Sequence, residues 1–111
     1  MLVSLLPQKN GLKHAVTFTK HELNAVLNIY TYQVMKGVWR DYALDFTKSM
    51  ALFSIYRHSG EQPLASVVKT PGNTSTGFVF EVFYDRKRLT RTPFIDKALE
   101  ALKETVDPVQ A

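Results

Sequence analysis

The three histidines are the side chains best suited to hold a metal, and their spacing argues against a metal site. His14, His21 and His58 lie on three separate segments, without a carboxylate at ligand spacing and without an HExxH pair. The chain has no cysteine, which excludes disulfides, thiolate metal sites and thiol nucleophiles within it. We therefore expect no metal and no cofactor.

Catalytic motifs are equally scarce. Ser54, His58 and Asp45 have the residue types of a hydrolytic triad, but no nucleophile-elbow motif surrounds the serine. The 5 glycines never cluster as a GxGxxG or P-loop pattern for phosphate binding. These observations predict that the protein is not an enzyme.

A pair of carboxylates offers one more route to chemistry. Asp41 and Asp45 are four residues apart, so on a strand both lie on one face, where paired carboxylates can perform acid–base catalysis. A simpler role for Asp41 is an ion pair with Arg40 or Arg57. We predict that Asp41 and Arg57 form a structural ion pair that sets strand register.

The densest charge in the chain is a basic run over residues 86–91, next to two aromatic residues. It consists of Arg86, Lys87, Arg88 and Arg91. These cations could bind phosphates while the aromatic rings stack on bases, but the chain lacks an RNP-type motif. Carboxylates follow in the predicted last helix (Asp96, Glu100 and Glu104), so the run of one molecule could instead meet that helix of another.

The charge distribution leaves two classes of function open. Residues 1–91 carry 12 Lys and Arg against 6 Asp and Glu, whereas residues 92–111 carry 2 against 4. The first class is a non-catalytic protein-interaction module that binds a protein partner or forms a homodimer. The alternative is a small nucleic-acid-binding or regulatory protein that uses residues 86–91. The predicted interaction residues are the basic run together with Trp39 and Arg40.

A helix is predicted ahead of these residues. Thr19 and Glu22 have the spacing of a capping box, and Gly37 is a helix stop, which together predict a helix from about residue 20 to 36. Its apolar positions follow the helical period (Leu23, Val26, Leu27, Tyr30 and Val34). Trp39 follows where the chain must turn back, so we expect it to be buried under this helix.

Alternating segments predict the sheet. Strands are expected over residues 13–18, 41–46, 50–58, 64–69 and 78–84, and the short connections after residue 46 favour antiparallel neighbours. Thr92 and Pro93 predict the start of a closing helix that ends at Asp107-Pro108.

The predicted fold is a single α+β domain over residues 13–107 with the order β-α-β-β-β-β-α. A curved antiparallel sheet of four to five strands carries two helices on one face. Residues 1–12 are expected to be a loose N-terminal arm or an edge strand, and residues 108–111 a C-terminal tail.

The run Gly37-Val38-Trp39-Arg40-Asp41-Tyr42-Ala43 carries a resemblance. Together with Phe18, Glu22-Leu23, the segment 51–57, Glu61 and Pro63-Leu64, it resembles a family of small alphaproteobacterial proteins known as a domain of unknown function. The resemblance covers residues 16 to 70 well and is looser from 78 to 89. It implies an intracellular bacterial one-domain protein without assigned catalytic residues.

The N-terminal apolar segment sets the expected location. Residues 1–6 are apolar but are followed by Pro7 and Gln8, and no basic residue precedes them. A membrane span needs about 20 apolar residues, and a secretory signal needs a longer apolar region. We expect a cytoplasmic protein without membrane contact.

Overall fold

The computed structural model describes residues 15–58, 62–73 and 77–105. The order is one helix, five strands and a second helix: α1 (Lys20–Met35), β1 (Asp41–Phe46), β2 (Ala51–Tyr56), β3 (Ala65–Pro71), β4 (Phe78–Tyr84), β5 (Lys87–Thr92) and α2 (Ile95–Glu104). The strands form one antiparallel sheet in sequential order, β1-β2-β3-β4-β5. The predicted α+β class is confirmed.

Local signals set both ends of α1. The Glu22 backbone N–H donates to the Thr19 hydroxyl at 3.1 Å, and the Thr19 N–H donates to the Glu22 carboxylate at 2.9 Å. At the other end, the N–H groups of Gly37 and Val38 donate to the carbonyls of Val34 and Gln33, which is the Schellman arrangement. Gly37 has φ +79°, a conformation that glycine adopts without strain.

One face of the sheet forms the core. Cross-strand pairing aligns Leu44, Phe53, Val67 and Val82 in one row, and the last three are fully buried. Buried side chains of α1 and α2 belong to the same cluster, including Val26 and Leu102. Both described helices therefore cover the same face of the sheet, as predicted.

An aromatic cluster joins α1 to the sheet. Trp39 is 1% exposed and its ring stacks against Tyr30 of α1 with the ring centroids 6.2 Å apart. Tyr30 also meets Tyr42 at 4.9 Å and Phe53 at 6.0 Å, both edge-on. The predicted burial of Trp39 under the first helix is confirmed.

One predicted strand was wrong, and one observed strand was not predicted. Residues 15–18 do not form a strand, although Val16 and Phe18 are buried. The fifth strand is instead β5, so the observed order is α-β-β-β-β-β-α. A two-residue turn, Asp85-Arg86, joins β4 to β5. Both residues have positive φ, which gives a two-residue hairpin turn the same twist as the strands that it connects.

The second helix also starts later than predicted. It begins at Ile95 after Phe94, which provides no side-chain cap, whereas the Thr92 hydroxyl accepts from the Phe94 N–H at 3.1 Å. Thr92 is the last residue of β5, so pairing with β4 keeps it and Pro93 out of the helix.

Some predictions fall outside the described residues. These are the N-terminal arm or edge strand over residues 1–12, positions 13 and 14 of the first predicted strand, and the C-terminal tail 108–111. Within the described ranges, neither helix has the length and apolar character needed to cross a bilayer.

Candidate functional site

The second face of the sheet, which we call the open face, has neither described helix on it. Its side chains are those that alternate with the core-facing ones along each strand. A strip of larger apolar side chains runs across it: Leu52, Val68, Val79 and Phe83. Leu52, Val79 and Phe83 are half-buried, and Val68 is 9% exposed.

Cross-strand register arranges the open face in rows. One row runs from β1 to β5 through Ala43, Ser54, Ser66, Phe83 and Arg88. The next row runs through Asp45, Leu52, Val68, Glu81 and Arg91. The first row therefore has small side chains on β1–β3, of which Ser54 is buried, followed by a large ring on β4 and a cation on β5.

Most charged residues of the open face lie at its two edges, with carboxylates on β1 and cations on β5. On β5, Arg88 lies 3.0 Å and Arg91 lies 3.9 Å from the Glu81 carboxylate, so one anion serves two cations. On β1, Asp45 is exposed and forms no ion pair with any described residue. The open face is thus acidic along β1, apolar in the centre and basic along β5.

The basic run predicted from the sequence is divided by the fold. Arg86 lies in the β4–β5 turn, and the other three cations lie on β5, an edge strand. Charged residues on an edge strand discourage pairing with a strand from another sheet. Because Glu81 neutralises part of the charge of Arg88 and Arg91, the run offers less cationic surface than its composition indicates.

The predicted acidic partner of the basic run lies on the other side of the sheet. Helix α2 buries Ala98, Leu99 and Leu102 in the core, so it covers the face opposite to Glu81 and its arginines. On the same face as these arginines, β1 carries Asp41 and Asp45, and neither forms an ion pair with a described residue.

The predicted Asp41–Arg57 ion pair is absent from the described residues. The Asp41 carboxylate accepts from the backbone N–H of Tyr42 at 2.8 Å, and neither Arg40 nor Arg57 forms an ion pair with a described residue. Successive side chains of a strand point to opposite faces of the sheet. Asp41 pairs with Tyr56, and Arg40 and Arg57 each lie one residue away, so their side chains point to the other face. Register is set instead by the backbone ladder and core packing.

The structure brings several cations together at one end of the sheet. A surface cavity of about 500 Å³ is lined by Trp39, Arg40, Arg57 and His58, among others. A neighbouring cavity of about 560 Å³ shares Arg57 and His58 and adds Arg86. Trp39 is almost fully buried, so it supports this region from below and does not offer a contact surface.

Sequence reasoning missed a buried charge at Lys69. This lysine is 3% exposed, and its ammonium donates to the Glu22 carboxylate at 2.8 Å and to the Thr17 carbonyl at 2.9 Å. The sequence contains a signal for this burial, because Lys69 follows Ala65 and Val67 at a spacing of two and so points to the same, core-facing side of β3. Its contacts tie the start of α1 to the sheet, which is a structural role.

Catalytic and metal arrangements are not assembled in the described ranges. No group of three or more possible metal ligands occurs there. No hydrogen bond joins Ser54 to His58 or Asp45 among these residues, although Ser54 is buried.

A protein-family model matches most of the chain. Residues 16–91, more than half of the chain, match the family described as Protein of unknown function (DUF2794). No curated protein and no solved structure matches the chain.

Proposed function

The chain belongs to the DUF2794 family of proteins of unknown function, and on that premise we propose that it is a non-catalytic protein-interaction module. The observation that carries the proposal is the open face, an apolar strip flanked by charges on a rigid sheet. Protein interfaces share this organisation of an apolar centre within a polar rim.

The phenyl ring of Phe83 is the expected anchor. Aromatic side chains are enriched among residues that dominate binding energy, and they contribute most near the centre of an interface. Phe83 lies beside Glu81 and its two arginines, on a strand that pairs on both sides and is therefore rigid.

Nucleic-acid binding through residues 86–91 is the competing function, and the charge arrangement counts against it. Phosphate binding draws on cations that are free to exchange counterions. Two of the four cations already contact Glu81, and α2 adds carboxylates on the opposite face.

The test is the size of the complex that the labelled protein forms in extract of its native cells, with and without nuclease. We expect a complex larger than the monomer that survives nuclease, is lost in Phe83→Ser and persists in Phe94→Ser. Phe94 is a matched control because it is a 65% exposed phenylalanine outside the sheet. Loss of the complex on nuclease treatment would favour nucleic-acid binding, and a monomer in all samples would reject both functions.

A further inference from the structure

Resting on the proposed protein-interaction function, we propose that the open face binds the open face of a second copy of this chain. The two sheets would stack with the β1 edge of each over the β5 edge of the other. The result is a symmetric β-sandwich built from two five-stranded sheets.

Charge selects this partner and this orientation. A twofold axis parallel to the strands places β1 over β5, so that the unpaired carboxylate of Asp45 faces Arg91 of the second copy twice per dimer. A twofold axis perpendicular to the strands would place acid over acid and base over base. Like charges at these positions would repel, so the pattern favours the first axis.

The sizes of the facing side chains also favour the axis parallel to the strands. Under that axis each cross-strand row faces itself in reverse, which places the Phe83 ring of one copy over Ser54 of the other. Ser54 is itself 3% exposed, so the ring would rest on the small, half-buried side chains of Ala43 and Ser66 on either side of it. Val68 lies on the central strand and would meet Val68 of the second copy at the axis.

The area is sufficient for a reversible dimer. Five strands about 4.8 Å apart and about six residues long, at about 3.3 Å per residue, cover roughly 24 by 20 Å. Two such faces would bury about 1000 Å², near the lower limit for specific interfaces. We expect the dissociation constant to rise with salt, because exposed charges are screened while the apolar strip is not.

The edges of the sheet favour face-to-face stacking over strand addition. The edge strand β5 carries Lys87, Arg88 and Arg91, which would repel a second copy of the same strand. Stacked sheets lie about 10 Å apart and need no free backbone groups. Charge repulsion at the β5 edge therefore disfavours pairing of two β5 strands, whereas the open face can be covered while the backbone ladder stays unchanged.

The experiment is sedimentation of the purified full chain with paired charge reversals. Asp45→Lys alone and Arg91→Glu alone should each weaken dimerisation roughly 10- to 30-fold, since each creates two like-charge contacts. Mixed in equal amounts, the two variants should form a heterodimer of wild-type strength. In that heterodimer the introduced lysine faces the introduced glutamate, and native Arg91 faces native Asp45. Arg91 is chosen over Arg88 because its contact with Glu81 is the longer one.

Glu100→Lys is the matched control. It makes the same change of charge on α2, on the covered side of the sheet, and should leave dimerisation unchanged. Weakening by this variant would indicate contact through the acidic helix and would overturn the sheet geometry. Urea unfolding of each variant separates loss of association from loss of folding.

The other possible results also test the inference. A wild-type monomer at all concentrations, or a mixture that does not associate, would overturn the inference. A wild-type monomer that dimerises once residues 1–10 are deleted would instead make that segment the occupant of the open face. If the purified protein is a monomer but still forms a Phe83-dependent complex in extract, the proposed function stands and only the second-copy inference fails. If no complex forms in either setting, both fail.

Discussion

Breaking the Lys69–Glu22 ion pair should have very different consequences depending on which partner is replaced. Lys69 is 3% exposed, whereas the Glu22 side chain is 15% exposed at the start of α1. Loss of the partner therefore costs more free energy for the ammonium of Lys69 than for the carboxylate of Glu22. We predict that Glu22→Gln destabilises the protein more than Lys69→Met does.

The magnitudes follow from the contacts. Removing one partner of a buried ion pair costs about 3–5 kcal/mol, because the other charge is left in a poorly solvated place. A glutamine can still accept one hydrogen bond from Lys69, and it preserves the capping box, since Gln serves that position as Glu does. We expect Glu22→Gln to lower the free energy of unfolding by about 2–3 kcal/mol.

Replacing the lysine removes the buried charge itself. Met keeps the apolar stem that packs in the core, and Glu22 retains water access and its hydrogen bond from the Thr19 N–H. Lys69→Met should cost about 0–1 kcal/mol, and the double variant should differ little from it. Glu22→Ala should cost about 1 kcal/mol more than Glu22→Gln, because the cap is also lost.

Urea denaturation followed by the fluorescence of Trp39 provides the measurement, because this residue is the only tryptophan and is buried. Unchanged m-values would show that the denatured states are comparable. A cost for Lys69→Met equal to or above that of Glu22→Gln would refute the reasoning, since it would mean that burying the ammonium is net stabilising.

Two further predictions concern the aromatic cluster. Trp39→Ala should lower the free energy of unfolding by about 3–5 kcal/mol, because the 1% exposed ring leaves a cavity against Tyr30; a cost below about 1 kcal/mol in urea would contradict this packing. Burial raises the pKa of the Tyr30 hydroxyl, and the charges of Asp41 and Tyr42 raise it further. Because the folded state favours the neutral Tyr30 hydroxyl, the stability that this group contributes is fully present below its unfolded pKa of about 10. That contribution is lost as the pH rises through the folded pKa. Urea unfolding between neutral pH and pH above 10 should therefore show a smaller loss of stability in Tyr30→Phe than in the wild type, and equal losses would reject the effect.

The sequence by itself determined the elements whose signals are local. The capping box and Gly37 bounded α1 because each works through hydrogen bonds within a few residues. Alternation located β1 and β4 at their observed bounds, since one buried face imposes a period of two. The α+β class followed from these segments and their short connections.

The strand β5 could not be predicted in the same way. Its residues are mostly charged, and its turn at Asp85-Arg86 lacks the glycine or asparagine that marks tight hairpins. It is a strand because β4 offers it an unpaired ladder edge. Pairing with a distant or neighbouring segment is a tertiary effect that local propensity does not report.

The candidate site depended still more on tertiary structure. The sequence supplied Arg88 and Arg91 as an isolated basic run, and it assigned Asp41 to an ion pair that does not form. Only the pairing register places Asp45 and Arg91 at opposite ends of one row. Only helix packing decides which face of the sheet is covered, because both faces of β2 and β3 carry apolar residues and a one-dimensional pattern cannot say where the helices lie.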